Sequence, residues 1–264
     1  ELPIDRRITI RHLLMNSSGL GEFLMGAGPR FDMRLAIGPR DLVALALPQG
    51  QIFAPGERFD YCNTGWIVAA LAIEAIAGKP YGTVCAERIV APLGLRQTGF
   101  GGIIPDGEPM RGYATLPSES EPIDMTAHLG WAFGAGDGIA SAADILAIYG
   151  SLIRDDSPLG IGLADLAGHT LKPSANPYFP LSFGTEYGLG LERRAWAGRE
   201  VWGHPGSTMT TRSATWIDAG LGIGVATAVT THMEQSGPPE ELRYPRAQLF
   251  AMALNTAYAL AADR

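Results

Sequence analysis

In the stretch "FAPGERFDYCNTGW", Tyr61 and Asn63 stand two residues apart, just ahead of a long apolar run. In a non-helical segment that spacing lets both side chains point to one side, so the pair can rim a pocket. A phenol there can accept and return a proton beside a nucleophile, and a carboxamide can orient a substrate carbonyl. The phenol is useful near neutral pH only where neighbouring cations lower its ordinary value of about 10. The same residues also suit a plainer role, with Asn63 as a helix N-cap and Tyr61 as a packed aromatic. A second candidate is "VWGHPGSTM". His204 follows a strand-like run and Gly206 lets another backbone come close, so this turn can present a side chain and backbone N–H groups to a cleft. A lone histidine serves as readily in a structural role. Cys62, between Tyr61 and Asn63, has nothing nearby in sequence to activate it and reads as a small buried filler.

The elements that must position these residues follow from pattern. Thr9 caps a short helix over "IRHLLM", which "NSSGLG" ends. Residues 21–40 read as a glycine- and proline-rich loop, followed by a short helix in "RDLVALALP" that Pro48 stops. "TGWIVAALAIEAIAGKP" is apolar around nearly its whole circumference and carries Gly78 and Pro80 as stop signals, which predicts a deeply buried helix. A further helix covers roughly 81–90, and Ser141 with Asp144 resembles a capping box ahead of "ILAIYGSLI". The character then changes. "GREVWG", "TTRSATWI" and "LGIGVATAVTT" are β-branched or aromatic runs parted by turns, the mark of an antiparallel meander, and a closing helix follows with Pro245 near its first turns. The expectation is a single α+β domain over 1–264, with a helical region at about 9–180, strands at about 185–232 and a closing helix at about 239–262.

Bulk properties narrow the partners. A chain of 264 residues, 46% hydrophobic and 18% charged, can bury a full core. Its net charge of −7, with scattered acids, argues against nucleic acid or an anionic membrane surface and for a small-molecule or peptide substrate. No apolar run is long enough to span a bilayer, and "ELPIDRRITI" lacks the layout of a signal peptide. Two cysteines are too few for a disulfide scaffold, and the five histidines never fall at i, i+4 on one helix, so the expected chemistry uses no metal and no cofactor.

Taken in order, "ITIRHLLMNSSGL", "FAPGERFDYCNTGWIVAALAIEAIAGKPYGTVCAERIVAPLGLRQTGF" and "GHPG" resemble the serine β-lactamase-like, penicillin-recognising superfamily. The resemblance is to its branch of class C β-lactamases, D-alanyl-D-alanine carboxypeptidases, D-aminopeptidases and esterases. It implies an antiparallel sheet flanked by helices, with a mostly helical region beside it. It also implies acyl transfer, in which a serine attacks an amide, ester or β-lactam carbonyl and water releases the acyl-enzyme. Tyr61 and Asn63 would then form the Tyr-x-Asn element, and His204-Pro205-Gly206 the Lys/His-Thr/Ser-Gly element. Tyr61 would relay protons with His204 as a cationic partner, and the N–H of Ser207 would be half of an oxyanion hole. Many relatives are exported, which slightly favours a periplasmic or secreted protein.

One piece of that pattern is missing. The only lysines are Lys79 and Lys172, and Ile76 and His169 stand three residues before them, so the chain contains no Ser-x-x-Lys. In the family that motif precedes the "ITIRHLL" region, so the expectation is a C-terminal portion whose nucleophile and lysine lie on a companion N-terminal segment or chain. An inactive binding or scaffold module of the same fold is the alternative. Pro205 replaces the usual hydroxyl residue and removes a donor to a substrate carboxylate. Arg212 either replaces that contact or is a paired strand arginine.

Overall fold

The computed structural model describes residues 2–28, 32, 34–35, 37–115, 120–126, 129–173, 185–208, 210–230, 233–234 and 244–262. His128 and His232 lie outside them.

A helical layer comes first: α1 (Ile10–Leu14), α2 (Phe23–Ala27), α3 (Pro39–Ala46), α4 (Asn63–Ala77), α5 (Tyr81–Cys85) and α6 (Ala91–Leu93), the last two joined by a π-helical turn over Ala86–Val90. Thr9 caps α1 by accepting the N–H of His12, and Gly78, in the left-handed region, ends α4. Leu13, Phe23, Leu42, Val43, Ile67, Val68 and Trp131 close around one another as the core of this layer. Each such side chain contributes about 1.5–3 kcal/mol by leaving water.

Several expectations are corrected. The stretch read as a loop over 21–40 contains α2, because the Glu22 carboxylate caps it by accepting the N–H of Leu24. Asn63 is not the N-cap of α4; Cys62 holds that position without a side-chain bond, and Asn63 is the first helical residue. Nor is α4 buried all round. Its first half is enclosed, but Ile76 is 83% exposed, since composition does not reveal where a packing neighbour stops. The helix expected over 81–90 continues through Leu93, and Gly94 ends it. Ser141 accepts the N–H of Asp144, but the Asp144 carboxylate does not return the bond; it accepts from Gln97 N and Thr98 Oγ1 instead.

Short strands β1 (Thr98–Gly99), β2 (Tyr113–Thr115), β3 (Ile123–Asp124) and β4 (Ile139–Ala140) lie within the region read as helical, along with α7 (Ala142–Ser151) and α8 (Leu163–Ala167). The main sheet is an antiparallel meander of β5 (Glu186–Tyr187), β6 (Glu192–Trp196), β7 (Arg199–Ser207), β8 (Thr211–Asp218) and β9 (Ile223–Thr230), in that spatial order. After β10 (Met233–Glu234), α9 (Tyr244–Ala262) closes the chain, with Pro245 in its first turn, where a missing N–H costs nothing.

Alternation along the strands gives the sheet two buried faces. Val201, Ala214, Trp216 and Val225 meet Leu254 of α9, while Trp202 and Ile217 meet Leu152 and the residues around α7 and α8. Polar bonds pin α9 in place: Trp196 Nε1 donates to Asn255 at 3.1 Å, and the Tyr258 hydroxyl donates to Asp218 at 3.2 Å beside the Arg199–Asp218 ion pair. Among the described residues, no single helix is long and apolar enough to cross a membrane.

Candidate active site

The turn after α1 builds the first half of the site. Asn16 is 1% exposed and left-handed at φ 50°, a conformation asparagine tolerates better than most side chains. Its carbonyl accepts the N–H of Asp60 at 2.7 Å and its Oδ1 accepts the N–H of Cys62 at 3.2 Å. One residue on, the Ser17 carbonyl accepts from Gly56, and the Ser18 carbonyl accepts from Gln51 Nε2. These bonds lace the approach to α4 onto the "NSSG" turn and thereby fix where Tyr61 sits. Asn16 was missed from sequence, where "NSSGLG" read only as a helix end.

The sheet supplies the second half. His204 follows Trp202 by two residues on β7 and so faces the same side of the sheet, the side of α7 and α8. Its ring centroid lies 6.1 Å from that of Tyr61, with the planes 31° apart. Tyr187 of β5, fully buried, brings its hydroxyl to 3.0 Å from His204 Nε2 and packs its ring 5.0 Å from Phe59. His204 Nδ1 lies 2.6 Å from the Pro205 carbonyl. The expected Tyr61 and His204 are thus brought together, and Tyr187, unnoticed in "TEYGLGLE", joins them.

Burial, with negative charge nearby, keeps the phenols of this cluster protonated. Burial pushes the Tyr61 hydroxyl up, and the nearby Glu22, Cys62 and Glu192 push it further. Burial raises Tyr187 well above its ordinary value, with Tyr61 and Glu192 adding to the effect. Glu192, wholly buried, stands opposite Tyr187 on β5 and Gly203 on β7, and is neutralised by Arg194 at 2.6 Å. The Arg194 guanidinium lies 4.7 Å over the Trp216 ring.

Asn63 meets a different neighbour. Glu22 Oε2 accepts the Asn63 backbone N–H at 2.7 Å and its Nδ2 at 3.4 Å, while Oε1 accepts from Leu24. Glu22 is 8% exposed and has no ion-pair partner among the described residues. Burial drives its carboxyl up to about 7, although these N–H donors and two helix N-termini work the other way. A single acid before an apolar run gave no sign of this role in the sequence.

The remaining candidates separate. Gly206 and Ser207 lie at the end of β7; among the described residues β6 stops at the pair Glu192–Gly203, and residues 204–207 pair with β8. Pro205, within β7, has no N–H to contribute to a strand ladder. Arg212 Nη1 donates to the carbonyls of Thr208 and Thr211 in its own turn. Cys62 and Cys85 are buried free thiols, and burial pushes Cys62 up to about 12, as suits an inert filler.

The chain as a whole has known relatives. The Beta-lactamase family profile matches residues 3–250. Penicillin-binding protein 4* of Bacillus subtilis is 26% identical over 163 residues, 56% of this chain and 36% of that protein. The D-aminopeptidase of Brucella anthropi is 26% identical over 230 residues, covering 80% of this chain and 39% of its own length. The chain therefore spans well under half the length of these curated relatives. Among solved structures, a D-stereospecific amidohydrolase from Streptomyces superposes with a TM-score of 0.70 at 28% identity, over 88% of this chain and 71% of its own. A D-amino acid amidase from Ochrobactrum anthropi gives 0.71 at 25% identity, over 88% and 66%. The likeness read from the "PGERFDYCN" and "HPG" stretches extends to the whole fold: the chain belongs to the β-lactamase family of hydrolases.

Proposed function

We propose that this chain is part of a serine hydrolase that transfers the acyl group of a D-residue peptide or amide, a β-lactam or a small ester, with the nucleophile supplied by a segment outside it. The observation that carries this reading is the meeting of Tyr61 with His204, two residues far apart in sequence, near the end of β7. The incoming serine attacks the carbonyl while Tyr61 takes up its proton and later returns it to the leaving group. The Ser207 N–H donates to the oxyanion together with the nucleophile's own N–H. Asn63 orients the substrate amide. Burial and two carboxylates raise Tyr61, so a cation must bring it into working range, which is the role of the lysine in the companion segment.

The sheet supports such a companion. Among the described residues β9 pairs with β8 on one side and with no strand on the other, yet "IGVATAVT" carries no charge and no proline to blunt an edge. Beside it, α9 has no charged residue from 247 to 262 and exposes Met252 at 68% and Leu260 at 63%. The D-aminopeptidase and amidase relatives favour a D-residue amide as substrate. The reading is tested by recovering the coding sequence upstream of Glu1 and co-expressing it. A Ser-x-x-Lys there, with hydrolysis of D-amino-acid amides and labelling by a fluorescent penicillin, is expected. A monodisperse 264-residue monomer that melts cooperatively, with no second polypeptide, contradicts the companion. No labelling and no turnover of D-amides or nitrophenyl esters leaves an inactive module.

A further inference from the structure

We infer that Tyr187 is a positioning residue which, with the Pro205 carbonyl, holds His204 in its Nδ1–H form and occupies the one nitrogen left to accept a proton. The role at the site rests on the function proposed above; the hydrogen-bond assignment does not. A backbone carbonyl only accepts, so the 2.6 Å contact to Pro205 requires the proton on Nδ1. In the neutral ring Nε2 is then an acceptor with a single in-plane lone pair. The group 3.0 Å from it is the Tyr187 hydroxyl, in edge-on contact with the imidazole at 87° between planes and a centroid distance of 5.7 Å. Burial keeps that hydroxyl protonated, so it donates. Tyr61 therefore neighbours a histidine whose proton-accepting nitrogen is already committed to a different phenol.

The placement of Tyr187 is rigid. It is fully buried, its ring abuts Phe59, its backbone bridges Leu171 by two hydrogen bonds, and Glu192 stands opposite it in the sheet. A donor fixed this way sets the imidazole orientation, as a histidine bonded at one nitrogen has its tautomer and ring plane chosen for it. The sheet, not the helical layer, thereby determines what His204 offers to the site.

The test is nitrogen NMR on the 15N-histidine-labelled protein, prepared with its companion segment where one is found, with His204 assigned from the resonance lost in His204→Gln. The expected wild-type spectrum shows Nδ1 protonated and Nε2 unprotonated, with Nε2 displaced by an accepted hydrogen bond. In Tyr187→Phe, which keeps the buried ring, Nε2 moves toward the position of an unbonded nitrogen. A proton on Nε2 in the neutral wild type, or an Nε2 resonance unmoved in Tyr187→Phe, overturns the inference. Should the variant fail to fold, the wild-type tautomer and a through-space contact between the Tyr187 hydroxyl proton and the His204 ring decide the matter alone. With the companion segment present, Tyr187→Phe lowers kcat by about tenfold or more with KM little changed. An inactive wild type would count against the proposed function and leave the NMR result standing.

Discussion

The Glu22 carboxylate accepts the Asn63 backbone N–H at 2.7 Å and the Leu24 N–H at 3.2 Å, so one buried acid ties together the starts of α2 and α4. Its carboxyl is raised from 4.5 to about 7, so the folded state holds a proton that the unfolded chain has released across that interval. Stability therefore falls as pH rises from about 4.5 to about 7, by an amount on the order of 3 kcal/mol at most, and levels off above. Glu22→Gln keeps an acceptor but removes the titration. Melting temperatures recorded from pH 4.5 to 8 should show a flatter dependence in the variant, and parallel curves for the two proteins would rule the account out.

Tyr61→Phe removes the hydroxyl and little else. In the protein assembled with its nucleophile, kcat is expected to drop by about a hundredfold or more, while the far-ultraviolet circular dichroism and melting temperature stay close to wild type. Turnover of a D-amino-acid amide is the direct assay, and near-normal turnover would remove Tyr61 from the proton path.

Two glycines of β7 should respond differently to alanine. A Cβ on Gly203 would overlap the Thr215 carbonyl, fixed backbone within the sheet, so Gly203→Ala costs about 3 kcal/mol or more. A Cβ on Gly206 would meet Ser213 Oγ, which can rotate away, so the cost is about 1 kcal/mol and the added Ser213→Ala change relieves it. Urea unfolding of the three variants separates backbone from side-chain obstruction.

Leu254 of α9 is 1% exposed against Val201, Ala214, Trp216 and Val225. Leu254→Ala should cost about 2–5 kcal/mol, because the rigid sheet cannot collapse into the gap. A loss well below 1 kcal/mol in denaturant titration would mean that α9 is not fastened to the sheet as described.

Local chemistry made much of this protein legible from its sequence. Apolar periodicity and cap residues marked α1, α3, α4 and the meander β7 to β9, because those signals act within a few residues of the chain. The Tyr-x-Asn and His-x-Gly spacings pointed to the family for the same reason. Asn16, Glu22, Tyr187 and Glu192 were invisible at that level. Each acts on a partner far away in sequence: Asn16 on Cys62, Glu22 on Asn63, Tyr187 on His204, and Glu192 on the electrostatics of both phenols.

By itself, then, the sequence determined the kinds of element, their order and two halves of a candidate site, since propensity, capping and motif spacing are properties of neighbours along the chain. Only the tertiary structure decided that Tyr61 faces His204, that His204 Nε2 meets the Tyr187 hydroxyl, and that Asn63 rests on a buried acid. Those outcomes depend on desolvation and on which hydrogen-bond donors reach a given atom, and both are set by segments that meet only when the sheet packs against the helices.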